Sequence, residues 1–504
     1  MIQGGGRNGN TGPTVVFVAS EAVPFVKSGG LGDVTGSLSA ELANLGCRPV
    51  LILPKYRTIE EELLRPTELA LDIPDGAARV KARIWEGDSG RSGLQVYLLD
   101  IPEFFDRPSL YGENGVDYPD NLARFTALSR GALELLKKFS VRPDILHVHD
   151  WQASLIPLYL KSLYSRDPFF ERTRSVLTIH NLSYQGRFDT DEMATTGLND
   201  TYLSPRYLEY FEEIRLLKGG ILSADWVTTV SPTYCEEIQT EEFGCGLDGV
   251  IRARKGFLTG ILNGIDTVEW DPAADPLIAA QFSPENLDGK KSCKRALLKE
   301  AGLQVRRDQP VFSILNRLVL QKGVSQAIAA MPYLLESGTT WVVLGEGDPY
   351  YEVAISALAA GRPDRISVRI GYDTPLAHRI QAGSDFILMP SIFEPCGLSQ
   401  MYAMRYGTIP IVRGVGGLAD TVTDFQPHSG EGTGFIFHDA TPQALMEAVH
   451  RALSVYRHRK AWPQIRRNAM ERDFSWRRSS EQYMAVYEKV LSTPRAPIPR
   501  GPLS

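Results

Sequence analysis

A chain of 504 residues, 43% of them hydrophobic, carries more apolar material than one core needs, and at roughly 150–250 residues per α/β domain it divides into two. With 54 Lys and Arg against 60 Asp and Glu, the net charge of −6 argues against nucleic acid or an anionic membrane as the main partner. No apolar run approaches the roughly 18 residues that span a bilayer, there is no secretory layout at the N-terminus, and Cys47, Cys235, Cys245, Cys293 and Cys396 are scattered, so a cytoplasmic chain with neither disulfides nor zinc is expected.

Residues 1–13 are rich in Gly and Asn, and 493–504 contain Pro494, Pro497, Pro499 and Pro502; both are expected to be disordered tails. Between them, β-branched runs at 14–20, 50–53, 95–100, 144–149, 175–180 and 226–230 alternate with stretches of helical spacing, the pattern of a parallel sheet. The first intervening helix places Val34, Leu38, Leu42 and Leu45 on one stripe, with Gly46 to stop it. A second series of runs follows at 311–315, 341–344, 366–370, 386–389, 409–412 and 434–437, predicting a second doubly wound half. Thr441 and Pro442 then open a helix whose buried stripe is Leu445, Ala448, Val449, Ala452 and Leu453. A last amphipathic helix over 476–491 presents Tyr483, Val486, Tyr487 and Val490.

Polar residues gather immediately after the predicted strands, where open α/β sheets bind ligands. Lys27-Ser28-Gly29-Gly30 precedes the first helix, and its amides can meet a phosphate, although a plain tight turn is as good an explanation. Gly416-Gly417-Leu418-Ala419-Asp420 is a second loop of this kind, equally well explained as a duplicated turn. Arg317 and Lys322, five residues apart, suit a diphosphate, the alternative being a solvated pair. Lys290, Lys291, Lys294, Arg295 and Lys299 read as the solvated face of a helix. Glu394, ahead of Cys396-Gly397-Leu398-Ser399, offers a carboxylate for sugar hydroxyls or else a cap. His180 is a base, a sugar contact or a structural imidazole. His147 and His149 are placed on opposite faces of their strand and so make a poor metal pair. No carboxylate spacing identifies a retaining hydrolase, and Gly29-Gly30-Leu31-Gly32 does not match the three-glycine dinucleotide fingerprint.

Taken together, Ser20-Glu21 with Lys27-Ser28-Gly29-Gly30-Leu31, His149-Asp150-Trp151, His180-Asn181-Leu182-Ser183-Tyr184-Gln185-Gly186, Val230-Ser231-Pro232-Thr233-Tyr234, Leu262-Asn263-Gly264-Ile265-Asp266, Arg317 with Gln321-Lys322-Gly323, Glu394-Pro395-Cys396-Gly397-Leu398 and Gly416-Gly417-Leu418-Ala419-Asp420 resemble the bacterial glycogen synthase and plant starch synthase family, glycosyltransferase family 5. They run in the family's order over about 14–491.

The resemblance implies an α/β GT-B fold: two Rossmann-like doubly wound domains facing a deep interdomain cleft, over 14–262 and 263–473, with a C-terminal helix, 474–492, crossing back to the N-terminal domain. It implies retaining transfer of glucose from ADP-glucose to the non-reducing 4-hydroxyl of an α-1,4-glucan (glycogen or starch), with no metal and no other cofactor. Arg317 and Lys322 would hold the departing diphosphate, assisted by Lys27, Gly29, Gly30, Cys396, Gly397 and the amides of Leu398 and Ser399. Tyr372 would stack on the base, Glu394 would hold the glucose hydroxyls, and His180, Asp150 and Asn263 would border the sugar; Tyr118 and Trp151 are acceptor-side candidates. Related GT-B families carry a second Glu eight residues after the first, where this chain, like family 5, does not: the position is Tyr402. A UDP-glucose donor, a pyridoxal-dependent phosphorylase and a non-catalytic glucan-binding protein are the competing readings, and a homo-oligomer is compatible with all of them.

Overall fold

The computed structural model describes residues 12–75, 78–113, 115–306 and 308–495, which form two compact units. Residues 1–11 and 496–504, most of the two expected tails, lie outside the described residues. The described ends of those tails are tied down. The Arg48 amide donates to Pro13, and Arg495 Nη2 donates to the carbonyls of Phe170, Glu171 and Thr173 at 3.1, 2.9 and 3.0 Å.

The first unit runs to Val230 and takes in Cys235–Gly264 and the segment from Trp476 on. Its strands are β1 (Thr14–Val18), β2 (Arg48–Pro54), β3 (Leu64–Asp75), β4 (Ala78–Gly87), β5 (Gln95–Asp100), β6 (Gly112–Glu113), β7 (Val116–Asp117), β8 (Ile145–His149), β9 (Arg174–Ile179), β10 (Arg187–Asp189), β11 (Glu209–Tyr210), β12 (Glu213–Arg215), β13 (Trp226–Thr229) and β14 (Leu258–Gly260). Nine of them make one sheet in the order β14-β13-β9-β8-β1-β2-β5-β4-β3. All six runs read from the sequence are in it and mutually parallel. The hairpin β3–β4, which pairs antiparallel onto β5, was not foreseen and makes the sheet mixed. Its half-exposed face alternates polar and apolar residues, so it lacks the continuous apolar run that marks the buried strands.

The helix Gly30–Asn44 buries Val34, Leu38 and Leu42 completely and ends before Gly46, whose φ of 90° only glycine adopts without strain; Leu45 is the half-buried cap. The last helix, Trp476–Ser492, belongs to this unit. It buries Tyr483, Val486, Tyr487 and Val490, bonds Ser479 Oγ to the Leu262 carbonyl at 2.6 Å, and sets Tyr487 Oη 2.8 Å from His147 Nδ1.

The second unit, Ile265–Ser475 with Ser231–Tyr234, holds a fully parallel six-stranded sheet. Its strands are β15 (Val311–Leu315), β16 (Thr340–Gly345), β17 (Ile366–Ile370), β18 (Phe386–Met389), β19 (Ile409–Arg413) and β20 (Phe435–Phe437), ordered β17-β16-β15-β18-β19-β20, and they are the six read from the sequence. Thr441 caps the helix Pro442–Tyr456 by accepting from the Ala444 amide at 3.2 Å, as its position predicts.

One reading is corrected here. On the helix Asp288–Glu300, Lys290 and Lys294 are not solvated. Lys290 is buried, donating to the carbonyls of Gln381 and Ala382 and to Thr408 Oγ1, while Lys294 pairs with Asp385 at 2.6 Å. Leu297, Leu298 and Cys293 turn this side of the helix into the core, and the long lysine stems follow them in.

Candidate active-site groups

In the first unit the polar loops follow β1, β8 and β9. Glu21, just after β1, is buried and organises the glycine loop. Its carboxylate accepts from the Ser28 amide at 2.5 Å, from Ser28 Oγ at 2.7 Å and from the Tyr111 hydroxyl. The helix Gly30–Asn44 then begins after Gly29 with no side-chain cap, leaving first-turn amides for an anion. Lys27 pairs with Asp33 at 3.1 Å at the same turn.

After β8, Asp150 takes a left-handed φ of 51° and turns its buried carboxylate to the amides of His180, at 2.7 Å, and Asn181. Burial, with a further push from the charge of Glu21, raises its pKa to about 7 against those two bonds. Asp150 thus fastens the strand end that carries His180. His180 is half-buried, and its Nε2 lies 2.9 Å from Nδ1 of the buried His149. The placing of His147 and His149 on opposite faces is corrected: residues two apart on a strand share a face, and their rings are 4.3 Å apart. Desolvation lowers His147 and His180 to about 3 and His149 well below its usual range, so all three are neutral. Among the described residues no group of three His, Cys, Asp or Glu is placed to hold a metal. Asn263 is buried, and its Oδ1 has no hydrogen-bond partner among the described residues.

The two acceptor-side candidates are less open. Trp151 is 8% exposed, edge-on to Phe125 at 4.8 Å and pressed by Gly186, so most of its ring is spent in packing. Tyr118 has Arg107 and Arg124 stacked over its ring at 4.7 and 5.0 Å and donates to Glu113 at 2.6 Å.

In the second unit β15 and β18 end side by side. The turn Leu320–Lys322 closes on Gly323, at φ 66°, where a Cβ would lie 1.9 Å from the Pro390 carbonyl oxygen. That approach seats Lys322 against Glu394, its Nζ donating to both carboxylate oxygens at 2.8 and 2.6 Å, with Ser391 Oγ a third donor at 3.0 Å. The sequence reading sends these two residues to different parts of a donor; the structure joins them as a buried ion pair. Arg317 and Tyr372 are exposed just after β15 and β17, the two strands that flank β16. Glu394 leads into Gly397, at φ 70°, and the amides of Leu398 and Ser399 open the helix Ser399–Arg405 without a side-chain cap.

The second glycine loop has a mechanical role. Gly417 packs so closely on Cys396 that a Cβ would lie 2.1 Å from its carbonyl oxygen. Asp420 accepts from Ser231 Oγ, the Thr233 amide and Thr233 Oγ1 at 2.6, 3.0 and 2.6 Å, which explains why residues 231–234, expected in the first half, group with the second unit. Tyr402, eight residues after Glu394, stacks on Trp270 at 4.1 Å. Glu21, Tyr111, Ser391, Asp420 and His149 are the supporting residues missing from the sequence-derived site. Glu21, Asp420 and His149 belong to the quoted motifs but carry no assigned role there, whereas nothing local marks Tyr111, 90 positions from the carboxylate it meets.

The chain matches the family model for the starch synthase catalytic domain over residues 14–253 and that for group 1 glycosyl transferases over 299–469. It is 46% identical over 479 residues to a glycogen synthase of Anaeromyxobacter dehalogenans (strain 2CP-C), covering 94% of this chain and 99% of the relative. It is 42% identical over 480 residues to one from Syntrophotalea carbinolica, covering 95% and 99%. The catalytic domain of starch synthase IV from Arabidopsis thaliana, solved with ADP and acarbose, superposes with a TM-score of 0.89 at 36% identity over 96% of this chain and 100% of that one. A sucrose-phosphate synthase from Thermosynechococcus elongatus, at 16% identity and a TM-score of 0.61, shares the fold. Two Rossmann-like units carrying these strand-end groups, matched over nearly the full length of such relatives, make the chain a GT-B glycosyltransferase of the glycogen and starch synthase family.

Proposed function

We propose that the chain elongates an α-1,4-glucan by transferring glucose from ADP-glucose to the non-reducing 4-hydroxyl with retention, releasing ADP, in the cytoplasm and without a metal or other cofactor. The observation that carries this reading is the Lys322–Glu394 pair, held at 2.6 Å beside the uncapped amides of Leu398 and Ser399. A cation already desolvated and fixed by a carboxylate needs little reorganisation to take the charge of a leaving diphosphate. Arg317 supplies the second cation, and Lys27 with the Gly29-Gly30 amides assists. Glu394, Asp150, His180 and Asn263 hold the glucosyl hydroxyls. Asn263 suits that duty because its buried Oδ1 has no partner among the described residues and a sugar hydroxyl would satisfy it. Tyr372, 70% exposed, has the open ring face that stacking on the base requires. The ADP bound to the Arabidopsis relative supports adenine over uracil.

Incubation of the chain with glycogen and either ADP-glucose or UDP-glucose, with nucleotide release measured alongside incorporation of labelled glucose, tests the proposal. Faster incorporation from ADP-glucose is expected. Preference for UDP-glucose would overturn the donor assignment, and binding of glycogen without turnover of either donor would leave a glucan-binding protein.

A further inference from the structure

The three histidines of the first unit form a buried column that the transfer reaction, as proposed above, uses only at its last member. His147 is satisfied at both nitrogens, by Tyr487 Oη at 2.8 Å and by Thr178 Oγ1 at 2.6 Å. His149, fully buried and stacked on Phe17, touches His180 through Nδ1 at 2.9 Å, and its Nε2 is sealed in with no partner among the described residues. Two neutral imidazoles joined in this way share one proton, and there are two arrangements. With the proton on His180, the lone N–H of His149 is at Nε2, a buried donor with nothing to receive it. With the proton on His149 Nδ1, only a lone pair is left bare at Nε2. Buried orphan donors are the rarer and costlier outcome. His180 then accepts at Nε2 and carries its own hydrogen at Nδ1, the nitrogen for which no described residue is a partner and which, unlike His149 Nε2, is not sealed in.

We infer that His149 is a positioning residue that fixes His180 as the Nδ1–H tautomer, so that His180 presents a hydrogen-bond donor to a sugar oxygen and not a base. This rests on the assignment of His180 to the sugar. The consequence is chemical: with Nε2 occupied by a donor and Nδ1 protonated, His180 has no lone pair with which to take the acceptor's proton.

The test has two independent parts. Nitrogen-15 spectra of the wild-type chain labelled at histidine, with the His180 signal identified by its loss in His180→Gln, report the tautomer directly at pH 7.5. A protonated Nδ1 and bare Nε2 are expected; the reverse pattern overturns the proposal whether or not the chain transfers glucose. Kinetically, His149→Phe removes the donor, whereas His149→Asn offers an amide N–H near the former Nδ1. The transfer rate is expected to fall at least tenfold in the Phe variant with the glucan KM unchanged, and to recover in large part in the Asn variant. Equal rates in Phe and Asn variants that both melt like the wild type would overturn the inference. If instead the tautomer is as expected and His180→Gln transfers glucose at the wild-type rate, the assignment of His180 to the sugar is what fails.

Discussion

At the scale of single residues, the second unit separates charge that works from charge that also holds the structure. Lys322 and Glu394 are each other's main partner, so Lys322→Ala leaves a buried carboxylate without its cation and is expected to cost about 3–5 kcal/mol of stability as well as activity. Arg317 is exposed. Its replacement by Ala is expected to leave the melting temperature within a few degrees of the wild type while lowering the transfer rate about 100-fold, with glucan binding retained. Paired melting curves and ADP-release assays check both; an Arg317→Ala chain with near-normal turnover would remove the assigned role. Gly323→Ala places a methyl 1.9 Å from the Pro390 oxygen at a left-handed φ and is expected to destabilise by about 2–3 kcal/mol, read as a drop in melting temperature. The glycine was visible in the sequence, but its obligatory character was not, because the atom it makes room for is 67 positions away.

At the scale of elements, eleven of the twelve β-branched runs found their strands because a parallel strand buried on both faces must be apolar nearly throughout, a property a single sequence displays; the edge strand β17, half-buried or exposed beyond Ile366, is the exception. The same rule explains the omission of the β3–β4 hairpin, one face of which is largely solvated. Loops are less legible, since their identity lies in what they touch. The 416–420 loop looked like a copy of the phosphate loop, yet its Asp420 is the anchor for residues 231–234. Asp420→Ala is expected to raise hydrogen exchange selectively at the Thr233 and Tyr234 amides, the first losing its acceptor outright and the second, bonded to Ser231 Oγ, losing its fixed partner. Unchanged protection there would remove the anchoring role.

At the scale of the whole molecule, the buried imidazoles make stability depend on acid. His147 titrates at about 3 when folded, against an ordinary value near 6.5, so the unfolded chain takes up its proton first as the pH drops. The stability it contributes is complete above pH 6.5 and is lost as the pH falls toward 3; His149 acts in the same direction. Asp150, raised to about 7, has the opposite sign: its contribution is fullest below about pH 4 and is lost as the pH rises to 7. Melting temperatures between pH 6.5 and 4.5 are therefore expected to decline with acidification, less steeply in His147→Gln, which keeps a polar partner for Tyr487 and Thr178. The opposite change in Asp150→Asn, a steeper decline, is expected because the group that favoured acid has gone.

The chain by itself determined two doubly wound halves and the order of its motifs, because burial on both faces of a strand and the position of a loop after that strand are written in consecutive residues. Only the tertiary structure decided that Lys322 binds Glu394, that Glu21 holds Ser28 and Tyr111, and that His149 faces His180. Those pairings join residues 7 to 90 positions apart through backbone approaches that no local pattern encodes.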